Sequence, residues 1–302
     1  MRKILIYGGE GWIGKKIQNI LKKILLANDE TEFVILSSGV RVDNIDKLED
    51  ELSLVNPTHV ICLVGRTHGY HEGQYIPTID YLEKPNKLKD NIRDNLFSPL
   101  SLAMICKLKN IHFTYMGTGC IFTYDDNHRV FSEDDEPNFF GSSYSTVKGF
   151  TDRLMHLPLL ARNTLNVRIR MPISSDDSPR NFINKLLTYK SICSIPNSMT
   201  VLEELLPMMC KMVLENRVGT INLTNPGVIE HSEILDMYRE IIDPDFQYTL
   251  FSYEDQKKVI ACERSNNELD TQKLQSLFPK VKSIKESVRD VLMMMKRRIW
   301  NV

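Results

Sequence analysis

The chain opens with a short apolar run, Lys3 to Tyr7, that passes directly into Gly8-Gly9-Glu10-Gly11-Trp12-Ile13-Gly14. From Lys15 to Leu26 the apolar period changes: Ile17, Ile20, Leu21, Ile24 and Leu25 fall on one face at helical spacing. The pattern is strand, glycine turn, helix. Further β-prone runs at Phe33–Leu36, His59–Val64, His112–Met116 and Asn166–Ile169 alternate with helical patterns at Ile45–Leu54, Lys89–Lys107 and Tyr144–Met155. This alternation predicts an α/β protein with a Rossmann-type doubly wound parallel sheet, joined by right-handed crossovers. After about Pro172 the regularity drops. Helices are expected at Arg180–Tyr189, Val201–Glu215, His231–Ile241 and Ser283–Arg298, with a strand at Gly219–Leu223. No linker rich in Pro, Gly or Ser marks a break. The expected organisation is a dinucleotide-binding domain over residues 1–172 and a smaller C-terminal substrate-binding lobe over 173–302, some of whose segments return to the first domain.

Composition narrows the class without naming a function. The 302 residues carry 38 Lys plus Arg against 39 Asp plus Glu, a net charge of −1, which argues against a broad nucleic-acid-binding surface. No run reaches the roughly 18 apolar residues of a membrane span. The N-terminal apolar stretch stops at Tyr7, too short for a signal peptide. The six cysteines are scattered, with no CxxC and no close Cys/His pair. A metal site and disulfides are therefore not expected, and the expected compartment is the reducing cytosol.

Gly8, Gly11 and Gly14 fit G-x-x-G-x-x-G between a strand and a helix. The spacing serves a tight turn, close approach of backbone to a pyrophosphate, and a helix N-terminus facing its charge, with Trp12 and Ile13 between the glycines. An NAD-type site usually places a carboxylate at the end of the second strand. Here that strand runs out as Leu36-Ser37-Ser38-Gly39-Val40-Arg41. Two hydroxyls and an arginine suit an added 2′-phosphate, so NADPH is the expected cofactor; the alternative is a solvated loop arginine. Tyr144 and Lys148, at i and i+4, share a helix face, where the ammonium would lower the tyrosine pKa and the tyrosine pass a proton to a carbonyl oxygen. Thr118, at the end of the fourth long strand, sits where a hydroxyl meets the same carbonyl. Cys120, two residues on, points the same way if the strand stays extended. A thiol titrating near about 8.5 needs a modest shift to act as a base, although the residue also reads as one more buried cysteine.

The glycine turn, Thr118 and Tyr144-x-x-x-Lys148 together resemble the extended short-chain dehydrogenase/reductases. Nearly the whole chain is similar to the bifunctional UDP-4-keto-6-deoxyglucose 3,5-epimerase/4-reductases of UDP-rhamnose synthesis. The stretches that carry this are Gly117-Thr-Gly-Cys-Ile-Phe122, Arg170-Met-Pro-Ile-Ser-Ser175, Pro179-Arg-Asn-Phe-Ile183, Ile195-Pro-Asn-Ser-Met-Thr200, Thr224-Asn-Pro-Gly227 and Arg264-Ser-Asn-Asn-Glu-Leu-Asp270. The chain departs from that pattern at Gly65–Gly69 and Tyr70–Pro77, where relatives are shorter and richer in glycine.

The resemblance implies an enzyme that epimerises a 4-keto sugar nucleotide at C3 and C5 and then reduces C4 with NADPH. It puts Cys120 in the base role, with Lys185 as candidate opposing acid. Tyr144 and Thr118 hold the oxygen in both steps, and Lys148 also holds the nicotinamide ribose. Asn181, Asn197, Thr200, Arg264, Asn266 and Asn267 are expected at the substrate, or else in capping and turn structure. Asn95 is expected to order the catalytic helix through a water, or to be an ordinary polar helix residue. The resemblance further implies a homodimer and a separate upstream 4,6-dehydratase supplying the UDP-sugar. The alternatives are a reductase alone and a non-catalytic NADP(H) sensor. A dehydratase is rejected, because Gly119-Cys120 stands where such enzymes carry an acidic pair.

Overall fold

A computed structural model describes residues 1–29 and 32–300. Six parallel strands form the central sheet: β1 (Arg2–Tyr7), β2 (Phe33–Ser38), β3 (His59–Cys62), β4 (His112–Thr118), β5 (Thr164–Ile169) and β6 (Gly219–Asn222). Their spatial order is β2-β1-β3-β4-β5-β6. Alternate residues of β1 serve opposite faces, as strand geometry requires. Ile4 and Ile6 pack with Ile17 and Leu21 of α1 (Trp12–Ala27). Leu5 and Tyr7 pack on the other face with Leu48 of α2 (Ile45–Val55) and with Leu102. Burial on both faces explains why the strands read as continuous apolar runs.

Helix α3 is one helical run made of Leu88–Ile92, a π-helical turn at Arg93–Phe97, and Ser98–Leu108. The widened turn has a local cause. Pro99 has no N–H to give the Asn95 carbonyl, and Thr151 Oγ1 of α4 (Ser143–Met155) donates to that carbonyl instead, at 2.7 Å. The uniform helix expected over Lys89–Lys107 is thus corrected.

Beyond Pro172, a third core gathers Ile183 and Leu186 of α5 (Phe182–Leu186), Ile234 of α7 (His231–Ile241) and Val288 and Leu292 of α8 (Ile284–Trp300). Helix α6 (Leu202–Leu214) instead packs on α1, and β6 joins the main sheet. The helix expected over Arg180–Tyr189 shrinks to the five residues of α5, because Asn181 caps it by accepting from Ile183 N. The stretch after His68 folds as a hairpin, Gly69–His71 against Gln74–Ile76. Glu72 and Gly73, both at positive φ, turn it. Among the described residues no helix is long and apolar enough to cross a membrane.

Candidate active site

The glycine turn follows β1 directly. Gly8 sits at φ +82°, and a Cβ at Gly14 would lie 2.5 Å from the carbonyl oxygens of both Gly8 and Gly9. Both positions therefore demand glycine. Gly11 N donates to Gly8 O at 3.1 Å. Helix α1 has no side-chain cap and no acidic residue in its first turn, so its end keeps its positive character. Trp12 Nε1 donates to Asp176 at 2.9 Å, and Lys16 Nζ lies 2.5 Å from the same carboxylate. Against the upward push of burial, these bonds hold the Asp176 pKa at about 2. Ile13 is partly buried against the core of this face.

The end of β2 differs from expectation. The structure brings a carboxylate there from α2: Glu51 accepts from Tyr7 Oη at 2.7 Å and from Ser38 Oγ at 2.7 and 2.9 Å. Glu51 lies 13 residues past Ser38, out of reach of any reading of the strand end alone. Ser38 Oγ is thus turned inward, whereas the buried Ser37 hydroxyl has no partner. Arg41 pairs with Asp43 at 3.0 Å and reaches within 3.8 Å of Asp94. Arg66 and Arg93 converge on the same Asp94. These two arginines were not among the expected site residues; only the fold brings them to Arg41.

Asn95, inside the π-helical turn, locks the loop after β3. Its Oδ1 accepts from Arg66 N and its Nδ2 donates to Arg66 O, both at 2.9 Å, and to Asn91 Oδ1 at 2.8 Å. Through Thr151 the same turn holds α4, so Asn95 ties α4 to the arginine-bearing loop by direct hydrogen bonds. The start of α4 is held by its Ser142 cap and by Glu83, which accepts from Ser143 N at 2.7 Å.

Tyr144 and Lys148 face inward from α4. Burial, then the nearby Cys120, pushes the Tyr144 pKa well up, with the Thr118 hydroxyl opposing. The expected lowering by Lys148 is corrected: the Lys148 amine donates to the Tyr115 hydroxyl of β4 and stands 4.5 Å over that ring. Burial brings the Lys148 pKa down to about 8, while Cys62, Asp152 and Cys120 pull the other way. Tyr144 therefore carries its proton at neutral pH, the form a proton donor needs. Cys120 does not continue the strand. Thr118 Oγ1 accepts from Cys120 N at 3.1 Å and bends the chain, so the extended-strand argument fails. The half-buried thiol nonetheless lies near both Tyr144 and Lys148.

Lys185, on α5, is partly buried, and no carboxylate among the described residues pairs with it. Burial, then Arg180, lowers its pKa. His68, from the loop after β3, accepts from Arg180 Nη2 at 2.7 Å. Burial, then Arg180 and Lys185, brings the His68 pKa to about 4. The neutral imidazole closes this basic cluster; no local motif marks it.

Most of the residues expected at the substrate are occupied inside the protein. Asn181 is fully buried, bonding Ser174 N, Ser174 O and Asp176 O. Asn197 is fully buried between Arg170 Nη2, Asn267 N, Ile195 O and Asn266 Oδ1. Thr200 Oγ1 bridges Leu223 O and Arg170 N. Asn267 donates to Gly119 O at 3.0 Å and Phe122 O at 2.9 Å, clamping the Cys120 turn. For these four the direct-contact expectation is replaced by a supporting role. Arg264 is spent on Asp80, at 2.6 Å, and on the Cys262 carbonyl, at 3.0 Å. Asn266 remains partly exposed beside it.

A parallel doubly wound sheet with a glycine turn at its first helix and Thr118, Tyr144 and Lys148 beside it defines an extended short-chain dehydrogenase/reductase. No family model matches the chain. It is 47% identical, over 97% of its length and 99% of the relative's, to a protein of Acanthamoeba polyphaga mimivirus. A crystal structure of a UDP-rhamnose synthase from that virus, also 47% identical, superposes with a TM-score of 0.89, covering 97% of this chain and 99% of that one. A bifunctional dTDP-4-dehydrorhamnose 3,5-epimerase/dTDP-4-dehydrorhamnose reductase of Arabidopsis thaliana is 43% identical over 94% of this chain and 90% of the relative. A trifunctional UDP-glucose 4,6-dehydratase/UDP-4-keto-6-deoxy-D-glucose 3,5-epimerase/UDP-4-keto-L-rhamnose-reductase of the same plant is 42% identical over 95% of this chain, which spans 41% of that relative. The chain belongs to the nucleotide-rhamnose epimerase/reductase family.

Proposed function

We propose that the protein converts UDP-4-keto-6-deoxy-D-glucose to UDP-L-rhamnose by 3,5-epimerisation and reduction of the C4 ketone. The observation that supports this is the proximity of Thr118, Cys120, Tyr144 and Lys148, with the Thr118 hydroxyl bonded to Tyr144 and Cys120 beside both Tyr144 and Lys148, a set able to serve both steps. The protons at C3 and C5 are acidic because both carbons flank the C4 carbonyl. Cys120, as thiolate, removes one, and Lys185 returns a proton on the other face; its lowered pKa makes it the better acid. Thr118 and Tyr144 hold the oxygen while it carries charge. In the second step Tyr144 gives that oxygen its proton.

NADPH would be held over the cradle that Gly8 and Gly14 keep open, by the α1 N-terminus at its pyrophosphate, Lys148 at a ribose and Arg41, exchanging Asp43, at the 2′-phosphate, while Glu51 at the end of β2 is engaged by Tyr7 and Ser38. When bound, NADPH supplies the hydride to C4. Exposed Ile92, Phe97 and Met104 of α3 and Phe150 of α4 support a homodimer through these helices. A 4,6-dehydratase activity supplies the keto sugar. The test is product analysis by NMR in deuterated water. Cys120→Ala should keep cofactor binding and lose deuterium incorporation at C3 and C5; unchanged incorporation removes the epimerase reading.

A further inference from the structure

The glycine turn and Lys185 sit on different elements, and one carboxylate stands between them. Asp176 belongs to the loop between Ile173 and α5. Its side chain faces the first turns of α1: Trp12 Nε1 donates to it at 2.9 Å, and Lys16 Nζ pairs with it at 2.5 Å. Both donors meet an ionised acceptor, the stronger kind of hydrogen bond. Among the described residues these are the only side-chain bonds that carry residues 8–16 across to the C-terminal lobe.

The backbone of Asp176 serves the other side. Its carbonyl accepts from Asn181 Nδ2 at 3.1 Å and from Asn184 Nδ2 at 2.9 Å. Asn181 caps α5, and Asn184 immediately precedes Lys185 on it. Asp176 Oδ1 also accepts from Ser178 N at 3.0 Å, which folds the loop back toward the helix. Hydrogen bonds thus run without a gap from the indole at the glycine turn to α5. A helix of five residues does not hold itself together, so its placement comes from such contacts. Ile183 and Leu186 fix its apolar side in the third core, and the Asp176 loop fixes its start. Trp12 in turn opens α1, at the end that faces a bound pyrophosphate.

We infer that Asp176 is a positioning residue that couples the two halves of the site: a nicotinamide nucleotide at the glycine turn steadies α5, and Lys185 with it, through Trp12 and Asp176. This rests on the reading of the turn as the cofactor site and of Lys185 as the epimerisation acid. Epimerisation consumes no hydride, so its own chemistry makes no demand for a cofactor. The link supplies that demand, keeping Lys185 in place when the site is also ready to reduce.

The experiment reads amide hydrogen exchange of the full chain by mass spectrometry, with and without saturating NADP+, with binding followed by calorimetry. In the unmodified chain NADP+ should slow exchange over residues 183–188 as well as at the glycine turn. Asp176→Ala, and Trp12→Phe, which keeps a ring but loses the indole N–H, should still bind NADP+ and slow exchange at the turn. Both should lose the slowing over 183–188. Arg298→Ala, which frees the neighbouring Asp177 from its ion pair, should retain it. Slowing over 183–188 that survives in both Asp176→Ala and Trp12→Phe overturns the assignment, even where that segment exchanges faster overall, the mark of a merely structural residue. Loss of NADP+ binding in both variants overturns it too, since Asp176 would then only build the cofactor site. NADP+ binding to the unmodified chain with no slowing over 183–188 overturns the coupling alone. No binding at all removes the cofactor reading and the coupling together. Deuterium incorporation at C3 and C5 judges the epimerase reading separately.

Discussion

Replacing Asp152 by Asn separates two jobs done by one buried carboxylate. Arg168 is wholly buried, and Asp152 holds it with two bonds, Nε to Oδ1 at 2.9 Å and Nη2 to Oδ2 at 2.7 Å. Asn166 Nδ2 adds a third bond to Oδ1 at 2.8 Å. Asparagine keeps one acceptor but turns an NH2 toward a donor and strands a buried guanidinium. Breaking such a pair from one side costs about 3–5 kcal/mol. That is a large share of the roughly 5–15 kcal/mol that holds a domain together. The second job is electrostatic. Asp152 lies one helical turn beyond Lys148 and raises its proton affinity, so its removal moves the lysine further below its value of about 8. Urea unfolding reads the first effect, and the alkaline limb of the reductase pH profile, displaced to lower pH, reads the second. The double variant Asp152→Leu/Arg168→Met removes both charges and should recover most of the lost stability. A loss below about 1 kcal/mol for Asp152→Asn, or a double variant no more stable than the single, would show that the buried pair does not govern this region.

Two further outcomes follow from other parts of the molecule. Gly14→Ala should abolish nicotinamide-nucleotide binding by fluorescence titration, since its Cβ would displace the turn carbonyls at 2.5 Å, whereas Gly39→Ala, with nothing within 4 Å, should bind as before. Acid should destabilise the fold through its buried imidazoles. Burial holds His59 at about 4 and also lowers His112 and His231. A depressed folded-state pKa gives stability that is complete above the unfolded value, near about 6.5, and lost as pH falls toward 4. His59→Gln should therefore lose less unfolding free energy between pH 7 and 4.5 than the unmodified chain, by up to about 3 kcal/mol; parallel curves would refute this.

What the sequence made legible was local. The glycine turn, the helix after it and the Tyr144/Lys148 spacing are short-range patterns, and each lies where its period placed it. Non-local partners were hidden. Nothing near Ser38 signals that Glu51 returns to it, and Lys148 finds Tyr115 across 33 residues and two elements. The polar residues at 181, 197, 200 and 267 have the composition of a binding loop. Only the fold reveals that they are buried and bonded inside the protein, Asn197 to Arg170 and Asn266 and the others chiefly to backbone groups. One signal was available and unread: Pro99 inside an expected helix forecasts an orphaned carbonyl four residues earlier, and with it the π-helical turn around Asn95.

The clamp on the Cys120 turn has a consequence for the order in which the molecule matures. The chain carrying the glycine turn, Tyr144 and Lys148 is complete well before residue 170. The groups that hold residues 119 to 122, namely Asn267 and the Ser265 hydroxyl on Phe122 O, are synthesised long after Lys148. So are the 265 and 267 carbonyls on Arg170. The glycine turn and the Tyr144/Lys148 pair are thus laid down first. The turn that carries Cys120 is held only once residues 265 and 267 thread back, so a protein cleaved before them would lose the order of that turn while keeping the glycine turn, Tyr144 and Lys148.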